Sequence, residues 1–291
     1  MATMDLVIVH FESPEDLRKA LASVAAGTTK PGRCIVVDNS VSEVGRAGAS
    51  EVCDAYGATL ITSDGNVGFG AGVNRGVEGS DAELFVVLNP DAIVEPDTLE
   101  RLADHLDANP EVAAVSPMIL NQAGRVWFAG GWINSWLARP EMPHFGQAPP
   151  PGTIEASPFL TGCVLALRRT AFDQMGGFDQ RYFLYYEDVD LCWRLTANGW
   201  RNELVGTALA HHVRGLHGDP DRNLSPVMLH YTMLSRRLFA HLRLSPAQRV
   251  TAALASPLLG LRFAYLVARA DRGGRVQQWQ AIWRGLITPA H

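Results

Sequence analysis

The chain has 291 residues, of which 47% are hydrophobic and 19% charged, enough apolar material for one large α/β domain or two modest ones. That composition excludes disordered and fibrous classes, and a net charge of −5 argues against nucleic-acid binding over the whole surface. Cys34, Cys53, Cys163 and Cys192 form no C-x-x-C pair, so neither a disulfide framework nor a structural zinc site is expected, and a reducing compartment fits.

Asp5 to His10 is an apolar run of strand length, and Ser13-Pro14-Glu15-Asp16 supplies a cap, a first-turn proline and early acids for a helix to about Ala25. Arg33 to Val37 is a second strand ending in Asp38-Asn39-Ser40. Ala58 to Thr62 is a third, and Gly70 to Val77 reads as a short helix. Glu83 to Leu88 is a fourth strand, ending in Asn89-Pro90-Asp91-Ala92, and Pro96 opens a helix towards Ala108. Continuous apolar strands separated by helices predict a mainly parallel sheet covered on both faces. Ligands of such sheets bind beyond the carboxyl ends of the strands, where Asp38, Asn39, Asn89 and Asp91 fall.

Met118 to Pro158 is irregular, with many glycines and prolines and Trp127, Trp132 and Trp136, and reads as a long binding loop. The pattern recovers with a strand-like Leu160 to Arg168. A helix runs from Glu187 to a stop at Asn198-Gly199, and three helical stretches begin near Pro226, Pro246 and Arg275. No secretory signal precedes the first strand. The most apolar stretch, Ala252 to Ala270, is interrupted by Pro257, Arg262 and Arg269, so no spanning helix is expected. From Met233 to His291 there are nine arginines and one acid, Asp271, giving +8 and leaving −13 for the rest. Such a tail suits peripheral contact with an anionic membrane, or a solvated helical face that packs on the body.

Five segments carry chemistry. Asp38 can accept an N–H from a pyrimidine base or a ribose hydroxyl, or close an Asx-turn. Asp64 to Gly76 holds Gly65, Gly68, Gly70, Gly72 and Gly76, a density that permits close backbone approach to an anion before a helix N-terminus. Its spacing is not the dinucleotide fingerprint, and no P-loop lysine exists. Asn66 and Asn74 flank those glycines and point to nucleotide contact. Asp91, set at a strand end beside Pro90, suits a hard cation such as Mg²⁺ or Mn²⁺ if a second ligand is present. Tyr182-Phe183-Leu184-Tyr185-Tyr186 leads into Glu187, Asp188 and Asp190 at the start of a helix. Partial desolvation by those rings would raise a carboxyl towards a general-base value. His211 and His212 lie side by side on a strand and point to opposite faces, so only one of them can join a site.

Together these segments resemble family 2 glycosyltransferases of the GT-A fold, especially the rhamnosyltransferase-like branch. The resemblance runs from about Leu6 to His212. It rests on Val36-Val37-Asp38-Asn39-Ser40, Asn66-Val67-Gly68-Phe69 through Asn74-Arg75-Gly76, and Leu88-Asn89-Pro90-Asp91-Ala92. Thr161-Gly162-Cys163, Gly177-Phe178-Asp179, Phe183-x-Tyr185-x-Glu187-Asp188-Val189-Asp190-Leu191 and His212 complete it. The resemblance implies a GT-A domain over residues 1–225, with a nucleotide-sugar half to about 115 and an acceptor and metal half from 116. Residues 226–291 would be a basic helical extension.

The resemblance also implies inverting transfer of a sugar from a nucleoside-diphosphate donor to an acceptor hydroxyl. Asp38 would hold the base, with Asn39, Asn66, Gly68, Phe69, Asn74 and Asn89 around the nucleoside and phosphates. Asp91 matches the metal aspartate of the family, with Asn89 in place of its first acid. His212 matches a late histidine that completes the metal site, and His211 is the alternative if the register slips by one. Asp188 matches the general base, and Glu187, Tyr186 and Trp132 would shape the acceptor site. A dTDP-rhamnose-like donor and a lipid-linked or cell-wall glycan acceptor are expected, in the cytoplasm or at the inner face of the plasma membrane. A galactofuranose or N-acetylglucosamine donor with a soluble natural-product acceptor is the alternative. A non-catalytic sugar-nucleotide-binding homologue would not need the Glu187-Asp188 pair. The oligomeric state is left open.

Overall fold

The computed structural model describes residues 3–213, 225–269 and 275–288; Asp271 and Arg272 of the basic tail lie outside them. The chain opens with β1 (Met4–His10), α1 (Pro14–Ala25), β2 (Cys34–Asp38), α2 (Glu43–Tyr56), β3 (Thr59–Thr62), α3 (Phe69–Glu78) and β4 (Leu84–Leu88). β3, β2, β1 and β4 pair in parallel in that spatial order. Every residue of β1 and β4 is buried whichever way its side chain points, which requires cover on both faces of the sheet. The first four expected strands and the helices α1 and α3 stand within a residue or two of their sequence limits, while the strand expected over Leu160 to Arg168 begins only at Val164.

Differences are local. Ser13 precedes α1 but makes no side-chain cap; its N–H instead donates to Nε2 of His10. α2 escapes a search by apolar periodicity because Gly45 and Gly48 dilute its pattern. Its ends are well signalled all the same, by Ser42 accepting from the N–H of Gly45 and by Gly57 in the left-handed region.

β5 (Ala92–Val94) and α4 (Thr98–Ala108) lead into β6 (Val112–Asn121), a ten-residue strand that takes the first part of the segment read as a loop. β6 contains Pro117, which has no N–H for the ladder. The partner strand β12 (Arg201–His212) shifts register between Val205 and Leu209, opposite that proline. The rest of the irregular segment is β7 (Val126–Phe128), β8 (Trp132–Asn134), β9 (Arg139–Glu141) and β10 (Ile154–Ala156), joined by turns. β11 (Val164–Arg168) inserts antiparallel between β4 and β6 and completes the path β10-β12-β6-β11-β4-β1-β2-β3.

α5 (Arg169–Gln174) and α6 (Glu187–Ala197) follow β11, and α7 (Pro226–Arg243), α8 (Pro246–Arg269) and α9 (Arg275–Ile287) end the chain. One continuous core runs through the sheet and takes in Leu238, Phe239 and Leu244 from the end of α7. α7 is therefore part of the main body, while Leu229, Ala264, Val267, Ala281 and Ile282 form a small separate cluster between the last three helices.

Candidate active site

The carboxyl ends of β1 and β2 meet at a buried polar knot. Nδ1 of His10 lies 2.9 Å from Oδ1 of Asp38, and both side chains are out of contact with water. Nε2 of His10 accepts from the Ser13 N–H, so the hydrogen of the neutral ring sits on Nδ1 and is donated to Asp38. Oδ1 also accepts from the Ser40 N–H at 3.0 Å. Burial pushes the Asp38 carboxyl up, but these hydrogen bonds outweigh it and hold the group below the usual carboxylate value. Its other oxygen, Oδ2, is buried without a hydrogen-bond partner, as are Oδ1 of Asn39 and Oγ of Ser63. Ser63 belongs here because its N–H bonds to the Asp38 carbonyl; nothing in its sequence context marks it. Unpaired buried acceptors are costly, and two of them at one strand end mark a place where a ligand donates.

The glycine segment joins this knot to the acidic helix. Nδ2 of Asn39 donates to the Gly68 carbonyl at 3.1 Å, and Oδ1 of Asn66 accepts from the Gly68 N–H. Gly68 has φ +90° and lies against the Phe183 carbonyl, a place and a shape that exclude a Cβ. Gly72 and Gly76 let α3 sit directly on Val9 and Val7 of the sheet. These two glycines serve protein packing rather than the approach to an anion. The Phe69 N–H donates to the Phe183 carbonyl, and its ring packs edge-on against Phe178. Both amide atoms of Asn74 are spent on Phe178, donating to its carbonyl at 2.8 Å and accepting its N–H at 2.9 Å. Asn74 is thus a cross-link that holds the loop before the acidic helix.

Asn89 and Asp91 stand at the end of β4. The Asn89 N–H donates to the Cys163 carbonyl, and the Asp91 carbonyl accepts from Val213. β12 pairs with β5 so that His212 lies opposite Ala92 and His211 opposite Ile93. His212 turns to Asp91, with Nε2 3.6 Å from its carboxylate. His211 turns the other way and meets Glu95 at 2.7 Å. The register therefore selects His212 as the histidine beside Asp91. Trp127 stacks flat on the His212 ring, centroids 4.3 Å apart, and fixes its plane. Burial lowers the His212 pKa against the opposing pull of Asp91, which keeps a nitrogen lone pair available. Among the described residues no group of three or more His, Cys, Asp or Glu gathers as a cation site. One carboxylate and one neutral imidazole suit a Mg²⁺ or Mn²⁺ that takes its other ligands from substrate phosphate and water.

Tyr185 and Tyr186 both lie in the left-handed region, at φ 63° and 69°. Each is a costly shape for a bulky residue, of order 1–3 kcal/mol, and long-range bonds impose it. The Tyr186 hydroxyl donates to the Ala138 carbonyl, and Oγ of Ser235 in α7 donates to the Leu184 carbonyl at 2.9 Å. Tyr186 is buried against Phe239, so its ring serves the core. Tyr185 is the ring that borders the site. Burial, with Glu187 and Asp91 close by, pushes its hydroxyl up to about 12. Trp132 is exposed on β8.

The turn sets Glu187 and Asp188 at the mouth of α6. Asp188 is partly buried and accepts from the Gly162 N–H at 3.0 Å and the Val189 N–H at 2.8 Å. Burial raises its pKa, and those backbone N–H groups oppose the rise. Glu187 is buried with Oε2 unpartnered; burial first and the Asp188 charge second raise it further. Two adjacent carboxyls thus share one low-dielectric pocket, and the charge on Asp188 adds to the cost of ionising Glu187. Burial raises the Cys163 thiol, and Asp91 and Asp188 add to it; the Gly162–Cys163 segment bonds to both sides, the Gly162 N–H donating to Asp188 and the Cys163 carbonyl accepting from Asn89. The carboxylate beside His212 and the pair on α6 border one region.

A family model described as glycosyl transferase family 2 matches residues 5–176, and one described as N-terminal domain of galactosyltransferase matches residues 147–217. An N-acetylglucosaminyl-diphospho-decaprenol L-rhamnosyltransferase of Mycobacterium tuberculosis is 29% identical over 248 residues, 76% of this chain and 80% of its own. Rhamnosyltransferase WbbL of Escherichia coli is 24% identical over 227 residues, 72% of this chain and 83% of its own. Among solved structures, GalNAc-T7 with UDP, GalNAc and Mn²⁺ superposes with TM-score 0.63 at 15% identity over 98% of this chain; the chain covers 55% of that protein. Mannosyltransferase PcManGT from Pyrobaculum calidifontis, in complex with GDP-Man and Mn²⁺, gives TM-score 0.57 at 17% identity over 98% of this chain and 85% of its own. The GT-A fold expected from the sequence is the fold observed.

Proposed function

The chain belongs to glycosyl transferase family 2, and from that premise we propose that it transfers a sugar, with inversion, from a nucleoside diphosphate to an acceptor hydroxyl. It is a glycosyltransferase with rhamnosyltransferases among its relatives. The donor in this reading is dTDP-rhamnose. The acceptor is a glycan on a lipid diphosphate, the acceptor class in the name of the M. tuberculosis relative. A lipid-linked acceptor puts the reaction at a membrane surface, and four free cysteines suit its reducing, cytoplasmic side.

The base end supports a pyrimidine dione. Asp38 is ionised and can only accept, and its unpaired Oδ2 needs an N–H. Thymine and uracil carry one at N3, where cytosine has a lone pair. His10 turns Asp38 so that this oxygen faces away from the knot. His10→Ala is expected to weaken dTDP binding about tenfold, the loss of one hydrogen bond to a charged group, read by calorimetry.

Asp91 and His212, with Trp127 behind the ring, would hold Mg²⁺ or Mn²⁺, which offsets the charge that grows on the departing diphosphate. On the other side, Asp188 takes the proton of the acceptor hydroxyl as its oxygen bonds to the anomeric carbon. The bond from that carbon to the diphosphate oxygen breaks, and its electron pair leaves with the diphosphate. Glu187, buried beside it and raised further by the Asp188 charge, is not the base in this reading. The observation that supports this reading is that the Gly162–Cys163 segment bonds to both sides: the Gly162 N–H donates to Asp188, and the Cys163 carbonyl accepts from Asn89, two residues before the Asp91 that faces His212.

The test is nucleoside-diphosphate release from a panel of nucleotide sugars, with lipid-linked and soluble acceptors and Mg²⁺ or Mn²⁺. dTDP-rhamnose with the lipid-linked acceptor is expected to give the highest rate, and a higher rate with another donor or a soluble acceptor overturns that part. Asp91→Ala and His212→Ala should each lower turnover on the order of 100-fold and weaken Mn²⁺ binding measured by electron paramagnetic resonance. Undiminished Mn²⁺ affinity in both variants removes those ligands from the scheme.

A further inference from the structure

We propose that the outward faces of α8 and α9 form a docking surface that lies in the interface of an anionic lipid bilayer. The proposal stands on exposure and charge alone and does not depend on the transfer reaction.

α8 is one uninterrupted helix in spite of Pro257, and its 18-residue apolar window has mean hydropathy 1.6 with only 28% of it buried. By length and composition it could cross a membrane, which the broken apolar run in the sequence does not suggest. Its apolar residues are divided between two faces. Ala252, Ala264 and Val267 are buried, while Val250, Leu254, Leu258, Leu261 and Tyr265 are exposed at intervals of three and four. That spacing makes one stripe along the side turned from the body. α9 repeats the arrangement. Gln278, Ala281 and Ile282 are buried, and Val276, Trp279, Trp283 and Ile287 are exposed at the same intervals. A face of this size and character on a soluble chain marks an interaction site.

Charge chooses the occupant. α7, α8 and α9 contain no acid, while the sequence outside the basic tail carries the whole negative excess. Arg249, Arg262 and Arg284 are exposed around the apolar stripes. A groove of about 500 Å³ between the three helices brings Arg249 beside Pro257, Trp283 and Ile287. Cations next to aromatic and aliphatic side chains match the headgroup level of an anionic leaflet. A second copy docked through the same face would set two basic surfaces against each other. Crossing the bilayer is disfavoured too. Gly260 of α8 packs on Leu286 of α9, and Gly285 of α9 packs on α7 at His230 and Met233, so α8 is held along the body. Arg262 stands in the interior of α8, where a spanning helix would place it in hydrocarbon.

The full chain is to be sedimented with phosphatidylcholine vesicles with and without phosphatidylglycerol, at about 0.1 M and about 0.5 M salt. Binding is expected only with the anionic lipid and is expected to weaken at the higher salt. Brominated acyl chains in the same vesicles should quench tryptophan fluorescence. Leu258→Glu combined with Trp283→Glu should lower vesicle affinity about tenfold or more without changing nucleoside-diphosphate release on a soluble acceptor. Should that pair of substitutions unfold the chain, the quenching of the unaltered protein still decides. The proposal is overturned by absence of binding to anionic vesicles, by binding that the substitutions leave unchanged, or by a stable dimer that they dissolve in a chain that ignores vesicles.

Discussion

Asp188→Asn is expected to lower turnover about 1,000-fold, within the range that a positioned base contributes, while calorimetric affinity for dTDP stays unchanged. Glu187→Gln, which replaces a carboxyl that the proposed reaction does not use as base by a neutral group of the same shape, should cost less than about tenfold. The contrast separates the two neighbours: equal losses would mean that the proton has been assigned to the wrong carboxyl. The pH profile has a definite sign. Asp188 must be ionised to act and burial raises its pKa, so the acid limb of turnover should lie above the ordinary carboxylate range and vanish in Asp188→Asn. The same raised carboxyls affect folding. A carboxyl whose folded pKa exceeds its unfolded one favours the folded state fully below the unfolded value and loses that contribution as pH rises through the folded value. Glu187→Gln should therefore raise the melting temperature at neutral pH relative to the unaltered chain, and leave it nearly unchanged at the acid end.

Asp190→Ala is expected to cost about 3 kcal/mol of stability, measured by urea unfolding, because it strips the shared counter-ion from a buried network. Asp190 is fully buried. It receives Nε of Arg194 at 2.6 Å, Nε of Arg243 at 2.5 Å and the Tyr182 hydroxyl at 3.1 Å. Arg243 comes from α7 and also reaches Asp179 at 3.0 Å. One aspartate thus ties α6 to α7 and to the loop before α6. Asp190→Asn keeps a hydrogen-bond acceptor for Tyr182 and should cost less. Equal losses would assign the whole effect to the missing charge, and a near-neutral Asp190→Asn would assign it to packing and the Tyr182 hydrogen bond.

How far the sequence revealed these features depends on how far apart the partners lie. Asp38, Asn39, Asn89 and Asp91 were legible because a strand end is marked locally by an apolar run followed by polar residues. The mouth of α6 was legible for the same reason, its acids standing at a helix start. Asn74 and Tyr186 carry the right chemistry for a ligand, but their partners, the backbone of Phe178 and the carbonyl of Ala138, are 104 and 48 residues away, and no local pattern foretells such bonds. Ser63 went unmarked because only the pairing of β3 with β2 brings it to Asp38. Periodicity also failed where an element carries its own breaker, as with the glycines of α2 and Pro117 in β6. Which of His211 and His212 lies beside Asp91 depends on the pairing of β12 with β5, which no local pattern reveals.

The paired left-handed tyrosines have a consequence for what the chain can lose. Neither residue favours that backbone shape, so the turn survives only while remote anchors at Ala138 and Ser235 stay in place. Catalytic competence is thereby a whole-molecule property: a fragment ending ahead of α7 keeps the nucleotide half of the sheet yet releases the turn, and should retain dTDP while having nothing to deprotonate an acceptor.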